Sequence, residues 1–459
     1  MTFRGLFPSG RGGVAEVLRI AWPLVLAQAA GAVNHVCDRL FLARCADGDS
    51  ALAASLPAMM VAVMFVAFFS TTLGYSGVFV SQLHGARRGV DAVRAFAQGL
   101  WLLLFSLPLV VLFVPVSRAV VDLAGHAEAV CAAEKAYLCV YAPGGAFTIL
   151  NVILGGVITG QGRTLFVSFA TFAGCLVNLA LDPLFIYGAG PVPAMGLTGA
   201  AVAFVCAGAA TSALLVAAVC RDPLVVEGFR KGAFAFDRAL SLRVLRYGSP
   251  AGAAAFAGSL TFTVFTLVVG RLDALSSAAS NTVFAVNNVF YLALCATTEG
   301  VRILTGRYHG AGDDEAACRV YRSGLLLVLV ALVACFLVAI PGAGFIMDLF
   351  RGAGSSFDPA LYRRTGLCLF SIMFFREIAE AVSLVTEGAL RGVGDTRYMM
   401  VVQLAVRLLV WLPLVLAVAK FHPTVAALWL TMPFALGLVA ALLYLRWRRG
   451  AWRRRSLVG

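Results

Sequence analysis

Long apolar stretches separated by short polar connections run through the whole chain. Most of them hold about 20 or more residues, the length that an α-helix needs to cross the hydrocarbon core of a bilayer. The pattern predicts twelve spanning helices, at residues 15–43, 51–83, 95–121, 131–157, 164–188, 195–220, 242–270, 277–306, 320–347, 362–390, 397–420 and 425–446. We therefore predict an all-α membrane protein.

The longest polar connection, from Arg221 to Arg246, divides the chain into two nearly equal parts. We predict an N-terminal six-helix bundle at residues 1–220, a cytoplasmic linker at 221–242, and a C-terminal six-helix bundle with a basic tail at 243–459. Six is an even number, so the second bundle enters the membrane from the same side as the first. The bundles are thus expected to be parallel repeats, related by a pseudo-twofold axis along the membrane normal.

Matching residues recur when the two parts are laid over each other. The matches are Pro23 with Pro250, His84-Gly85-Ala86 with His309-Gly310-Ala311, Asp122 with Asp348, and Gly156-x3-Gly160-x-Gly162 with Gly388-x3-Gly392-x-Gly394. We interpret the glycine-rich segments as turns that join neighbouring helices. Duplicated bundles of this kind are typical of secondary transporters, in which the crevice between the halves gives alternating access to the two sides of the membrane.

Composition agrees with this architecture. Hydrophobic residues make up 61% of the chain and charged residues only 13%, which excludes an ordinary water-soluble domain. The net charge of +13 comes from short basic runs between apolar stretches, a distribution that indicates membrane topology rather than binding to nucleic acid. We expect a monomer that contacts membrane lipid, lies in the inner membrane with both termini in the cytoplasm, and needs no cofactor.

Three polar residues inside the predicted spans are candidates for function. A carboxylate in the hydrocarbon region is costly unless it faces protein or water, and Asp38 and Asp182 lie late in two outward-running spans. Asn178 precedes Asp182 by four residues and therefore shares its helix face. Two carboxylates in one poorly solvated chamber repel when both are ionised, so the pair suits a proton carrier. The same oxygens suit a sodium ion, and the spacing leaves both open.

Structural roles are the alternative for these acids. Asp182 can cap a helix end before Pro183, and Asp38 can pair with Arg39 or Arg44. Glu299 and Glu380 form a possible polar site in the second half. However, Arg302 follows Glu299 by three residues and Arg376 precedes Glu380 by four, so both glutamates have a partner for an intrahelical ion pair.

The sequence resembles the multidrug and toxic compound extrusion (MATE) family over essentially its whole length. The resemblance rests on Pro23 followed by Asp38, on the segment from Asn178 to Tyr187, and on the segments 306–312 and 387–396. It implies an antiporter of two bundles that exports cationic or amphipathic small molecules in exchange for protons or sodium ions. Asp38, Asn178 and Asp182 match the family's coupling site.

Two other functions compete with export. A flippase of a lipid-linked precursor would need a cationic cavity, for which Arg302, Arg376 and Arg407 are candidates. A membrane enzyme would need clustered histidines and acids or an activated nucleophile. The five histidines are scattered, mainly near helix ends, and we therefore expect no enzyme activity.

Overall fold

The computed structural model describes residues 10–42, 44–45, 48–124, 128–189, 191–350 and 358–454. Within them the chain forms sixteen α-helices: α1 Val14–Leu42, α2 Gly48–Leu73, α3 Ser76–Gly85, α4 Gly89–Ala124, α5 Glu128–Gly160, α6 Thr164–Tyr187, α7 Gly196–Cys220, α8 Pro223–Arg230, α9 Arg238–Gly270, α10 Ala274–Gly310, α11 Asp314–Ala339, α12 Ala343–Phe350, α13 Pro359–Val393, α14 Thr396–Leu404, α15 Leu412–Phe421 and α16 Val425–Arg448. A π-helical turn, Ala405–Trp411, joins α14 to α15.

Eleven helical segments of this described chain are long and apolar enough to cross a membrane, and α2 with α3 and α14 with α15 each count as one. The twelfth spanning helix is α13, whose 35 residues are sufficient in length but carry several charges. The three charges in the middle of the helix are buried: Arg376, Glu377 and Glu380 are each at most 8% exposed. The predicted all-α architecture of twelve spanning helices is thus confirmed.

The chain forms two compact units. The N-terminal unit is Leu26–Gly252, and the C-terminal unit combines the stretch up to Val25 with the chain from Ala253 onward. The chain therefore passes between units inside α1 and inside α9. Each crossing lies two residues after one of the aligned prolines, Pro23 and Pro250.

The predicted glycine turns are mostly helical, so that interpretation was wrong for most of their length. Residues 155–160 belong to α5 and residues 388–393 belong to α13. The turn itself is confined to Gly162 and Gly394, whose φ angles of 88° and 91° favour glycine. A glycine-rich sequence does not by itself separate a turn from a close contact between two helices.

Glycines inside the helices allow close contacts in both halves. A Cβ atom on Gly77 of α3 would lie 2.9 Å from the Cα atom of Gly156 on α5, so the two backbones touch there. In the second half, a Cβ atom on Gly392 of α13 would lie 2.6 Å from the carbonyl oxygen of Arg302 on α10. Small residues at such crossings are typical of helix packing in membranes.

An ion pair also repeats between the halves. Lys135 on α5 binds Asp122 near the end of α4. Arg363 on α13 donates from Nε to Oδ1 of Asp348 on α12 at 2.6 Å. Because Asp122 and Asp348 are aligned in the sequence repeat, these contacts support the register inferred from the sequence.

The segment after α8 packs against α4 within the N-terminal unit. The buried side chain of Gln98 accepts hydrogen bonds from the backbone nitrogen of Asp237 at 2.9 Å and from the Ser241 hydroxyl at 3.0 Å. Trp101 donates to the carbonyl oxygen of Phe234 at 2.9 Å. The predicted linker therefore contains a helix and a docked segment, whereas its role as a domain boundary stays a prediction.

Candidate functional site

Two helices each present a pair of polar side chains four residues apart. Helix α1 carries Asn34 and Asp38, and α6 carries Asn178 and Asp182. Residues at i and i+4 lie on one face of a helix, so each pair forms a short polar stripe. Asn178 is 2% exposed and Asp182 is fully buried. Within α6, the Asn178 Nδ2 atom donates to Oδ1 of Asp182 at 3.0 Å.

The two stripes face each other in the N-terminal unit. Asn34 donates from Nδ2 to the Oδ1 atom of Asn178. One turn further along, the carboxyl group of Asp182 lies close enough to that of Asp38 to interact with it directly. The structure thus brings together all three residues predicted for this site. It adds Asn34 as a fourth.

Neither carboxyl group has an arginine or lysine ion-pair partner in the part of the chain that the structure describes. Among the described residues, Oδ1 of Asp38 and Oδ2 of Asp182 are buried without a hydrogen-bond donor. The only described ion-pair partner of Asp38 is His35, at 3.7 Å, whose side chain is 57% exposed. The alternative pairing of Asp38 with Arg39 or Arg44 is not formed among the described residues. Helix α6 also continues past Asp182 to Tyr187, so Asp182 is not a terminal cap.

Aromatic rings form one wall beside this carboxyl pair. Tyr137 and Tyr141 on α5 stack with their ring centroids 5.2 Å apart, and Tyr141 stacks on Phe204 of α7 at 4.4 Å. Both tyrosines lie close enough to Asp38 to interact with it electrostatically. They belong to a buried cluster that includes Leu42 and is otherwise apolar. The carboxyl pair consequently sits against a low-dielectric, aromatic surface.

The C-terminal unit places Glu299 beside Arg302 on α10. The arginine donates from Nε to the Oε2 atom of Glu299 at 2.8 Å. No hydrogen bond or ion pair joins Glu299 to Glu380 among the residues that the structure describes. The two glutamates predicted as a polar site are thus parts of separate pairings.

Glu380 belongs to a cluster on α10 and α13. Arg376 binds Glu377 directly, and its Nη2 atom lies 3.6 Å from Oε2 of Glu380. The amide of Asn287, with its nitrogen toward Glu377, donates to Oε1 at 3.0 Å and accepts from Nη1 of Arg376 at 3.3 Å. The predicted pairing of Arg376 with Glu380 is therefore present, but Glu377 is the closer partner.

A second chain of contacts leads from α13 to the π-helical turn. Glu387 accepts from Nε2 of Gln403 at 2.9 Å, and Gln403 accepts in turn from Nε of Arg407 at 2.7 Å. The Arg407 guanidinium packs against Gly258 of α9, where a Cβ atom would lie 2.8 Å from Nη1. Pro413 follows two residues after the π turn, and its missing backbone donor accounts for the irregular helix there.

Charges in this network of the C-terminal unit are balanced. Four glutamates stand against four arginines in this described network: Glu299, Glu377, Glu380, Glu387, Arg302, Arg376, Arg391 and Arg407. In the N-terminal unit, by contrast, the Asp38 and Asp182 pair has no strong base beside it among the described residues. The two halves thus share a scaffold and differ in their buried charge, as the sequence indicated.

Sequence reasoning missed Asn34 and the two tyrosines of α5. The signal for Asn34 was available, because Asn34 precedes Asp38 by the same four residues that separate Asn178 from Asp182. Tyr137 and Tyr141 also share a helix face. Nothing local in the sequence distinguishes them from aromatic residues that face lipid.

The chain is similar to known proteins in family, sequence and fold. The model of the MatE family matches twice, over residues 23–184 and again over residues 250–416. The two matches begin at the aligned residues Pro23 and Pro250 and cover most of the chain. A relative named "Probable multidrug resistance protein NorM", from Bradyrhizobium diazoefficiens, is 27% identical over 451 residues, which cover 97% of this chain and 94% of that protein.

Solved structures share the fold. A MOP superfamily transporter from Pyrococcus furiosus superposes with a TM-score of 0.85 at 17% identity, covering 97% of both chains. An outward-facing multidrug resistance MATE family transporter superposes with a TM-score of 0.84, also at 17% identity and 97% of both chains. At this level of identity the likeness concerns the fold alone.

Proposed function

Since the chain belongs to the MatE family of multidrug and toxic compound extrusion transporters, we propose that it is a secondary active antiporter. It exports cationic or amphipathic small molecules in exchange for protons or sodium ions by alternating access. In this proposal it acts as a monomer in the inner membrane, with both termini in the cytoplasm. The basic connections identified in the sequence support that orientation. Members of the family are transporters and not enzymes.

The contact between Asp38 and Asp182 carries the proposal. Two carboxyl groups this close are stabilised when one of them holds a proton and donates it to the other, and Oδ1 of Asp38 and Oδ2 of Asp182 have no described protein donor. The pair is therefore suited to take up a single proton. Asn178 holds Asp182 in place at 3.0 Å, and Asn34 holds Asn178, so the carboxyl groups meet in a fixed register.

Loss of that proton supplies the driving force for a conformational change. Two unit charges about 4 Å apart repel by about 4 kcal/mol at an effective dielectric constant of about 20. That energy corresponds to a shift of about a thousandfold in a two-state equilibrium. Deprotonation would therefore favour the separation of α1 from α6, and protonation would favour the assembled pair.

Sodium fits the described arrangement less well than a proton. A hard cation at this pair would need several oxygen ligands, and the amide of Asn178 presents its nitrogen, rather than its oxygen, to Asp182. The oxygen of Asn178 already accepts from Asn34. If sodium is the coupling ion, Asp38 and Asp182 would hold it and the Asn178 amide would have to rotate. We therefore favour protons.

The environment of the pair also bears on the exported compound. Since no strong base lies beside them among the described residues, the deprotonated carboxylates attract cations. The stacked rings of Tyr137, Tyr141 and Phe204 offer faces on which a cationic or aromatic compound can lie. The names of the NorM relatives, which refer to multidrug resistance, support export of several compounds. The flippase alternative is less well supported, because Arg302, Arg376 and Arg407 lie in the charge-balanced network.

Transport in proteoliposomes with separately imposed gradients tests this function. We expect efflux of a fluorescent organic cation to be driven by a proton gradient and lost in the variants Asp38→Asn and Asp182→Asn. A sodium gradient alone should have little effect. Gradient-driven efflux that persists unchanged in both variants would show that the site is wrongly assigned. Headgroup translocation of a lipid-linked precursor without efflux would favour the flippase.

A further inference from the structure

A groove of about 390 Å³ opens on the N-terminal unit between α6 and α7. Its apolar lining includes Phe166 and Phe169 from α6 and Leu214 and Ala217 from α7. The rings of Phe166 and Phe169 are adjacent, with centroids 6.5 Å apart, and Phe169 is 59% exposed. The groove is thus an apolar concavity on a surface that is open to its surroundings.

Helix packing explains why the groove lies where it does. Further along the helices, α6 and α7 touch: the Thr211 hydroxyl of α7 donates to the carbonyl oxygen of Ala170 on α6 at 3.5 Å and lies against Gly174 of the same helix. Two turns from this contact, Ala217 leaves space beside the larger Phe166. The close crossing and the small side chain together keep the groove open.

Two arginines lie at one end of the groove. Arg163 precedes the first residue of α6, and Arg221 follows the last residue of α7, so both mark the same end of this antiparallel helix pair. Arg163 is oriented by Asp222, which accepts from its Nη1 atom at 2.8 Å and is itself only 4% exposed. Asp222 also caps α8 by accepting from the backbone nitrogen of Leu224 at 3.0 Å.

Arg221 is the freer of the two cations. It is exposed, and no ion pair involves it in the part of the chain that the structure describes. Asp222 neutralises only one side of the Arg163 guanidinium, because the contact uses a single nitrogen atom. The end of the groove therefore keeps donors that can bind an anion, at the side to which the charge bias assigns the cytoplasm.

We propose that this groove binds an anionic phospholipid. One acyl chain would lie along Phe166, Phe169 and Leu214, and the headgroup phosphate would lie between Arg163 and Arg221. Basic pockets between spanning helices at the cytoplasmic surface recognise anionic headgroups in this way, and arginine suits phosphate through its paired donors. A general preference for basic residues at the cytoplasmic surface would explain the arginines. It would not explain an apolar concavity that ends between them.

A lipid bound in the groove would stabilise α6, which carries part of the candidate coupling site. Helix α6 carries both Phe166 and the Asn178–Asp182 pair, and a lipid held against α6 and α7 would favour their packed arrangement. The lipid site is nevertheless independent of the transport proposal. Its binding can be measured without any transported compound.

Lipid binding is tested by titrating the purified full chain in detergent with phosphatidylglycerol or with phosphatidylcholine of the same acyl chains, counting bound lipid by native mass spectrometry. We expect tighter binding of phosphatidylglycerol. Arg221→Gln should weaken it about fivefold, since one basic residue near a lipid surface contributes about 1 kcal/mol. The control Arg230→Gln removes the same charge from the exposed end of α8, outside the groove, and should leave the affinity nearly unchanged.

Two further arms separate the lipid from simpler explanations. Ala217→Leu fills the groove without changing the charge and should also weaken binding, and a melting curve for each variant shows that it is folded. Glycerol 3-phosphate, which has the headgroup chemistry but no acyl chains, should not displace the lipid at equal concentration. Four results would each overturn the proposal. They are equal losses of affinity in Arg221→Gln and Arg230→Gln, equal affinity for the two lipids, full lipid binding by folded Ala217→Leu, and displacement of the lipid by glycerol 3-phosphate.

Discussion

Asn34 on α1 and Asn178 on α6 are joined by a side-chain hydrogen bond one helical turn away from the carboxyl contact between Asp38 and Asp182. The four residues thus form two side-chain contacts between the same two helices. The contact between the amides of Asn34 and Asn178 carries no charge and does not change when a proton is exchanged. It can therefore hold the helix register in which the carboxyl groups meet.

Asn34→Ala should weaken coupling without removing either carboxyl group. The substitution removes the donor to Asn178, and a hydrogen bond of this kind is worth about 1 kcal/mol, which corresponds to about a fivefold loss of the assembled arrangement. We expect proton-driven efflux in proteoliposomes to fall by about that factor. The same assay measures the substrate concentration at half-maximal rate, which should change less.

Val33→Ala is the matched control, because Val33 is the preceding residue on α1 and is 60% exposed. Its efflux rate should stay close to that of the unmodified protein. If Val33→Ala loses as much activity as Asn34→Ala, the effect comes from α1 in general and the hydrogen bond between Asn34 and Asn178 has no special role.

Gly77→Ala should destabilise the N-terminal unit. The new Cβ atom would lie 2.9 Å from the Cα atom of Gly156, so α3 and α5 would have to separate. Overpacking of this kind costs about 1–3 kcal/mol. We expect a lower melting temperature in detergent than for the control Gly437→Ala. Gly437 lies inside α16, and a Cβ atom added there would meet nothing within 4 Å, so alanine should be neutral or stabilising at that position.

Arg376→Gln should destabilise the protein more than Glu380→Gln. Arg376 binds Glu377, which is 1% exposed, and removing one partner of a buried ion pair costs about 3–5 kcal/mol. Glu380 lies 3.6 Å from Arg376 and leaves the closer pair intact when neutralised. Thermal melts give the comparison, and Glu377→Gln added to Arg376→Gln should recover part of the loss.

Neutralising the C-terminal glutamates tests whether their charges are structural. We expect Glu380→Gln and Glu299→Gln to retain proton-driven efflux, because each glutamate is paired with an arginine. Loss of efflux in folded Glu380→Gln protein would instead indicate that the C-terminal unit takes part in coupling.

Most of the fold was predictable because apolar length is a strong signal in a membrane protein. The predicted ends of the helices agree closely with the structure. The largest difference is at α11, which ends at Ala339 rather than at residue 347, because Pro341 has no backbone N–H and cannot continue the helix. The charges of α13 did not obscure it, since they occur at helical spacing within an apolar segment. Hydropathy cannot distinguish a glycine turn from a glycine contact, and that interpretation of Gly156 and Gly392 failed.

The candidate site was predictable in part. The rule that intramembrane acids are costly leads to the candidates Asp38, Asn178 and Asp182. The structure brings these residues together, although their role stays a prediction. Asn34 was missed because a lone amide costs less free energy in the membrane than a carboxylate and is therefore a weaker signal of function. The position of Tyr137 and Tyr141 depends on how α5 rotates against α1, which no local pattern encodes.

In the proposed function Asp38 and Asp182 share one proton, and because the deprotonated carboxylates attract cations, binding of an organic cation should displace that proton. The most direct measurement is proton release from detergent-solubilised protein in weakly buffered solution, followed with a pH-sensitive dye, when an organic cation is added. We expect release of up to about one proton per bound cation by the unmodified protein and none by folded Asp38→Asn or Asp182→Asn. Two results would show that the pair does not carry the exchanged proton. One is that both variants release as many protons as the unmodified protein, and the other is that the unmodified protein binds the cation without proton release at any pH.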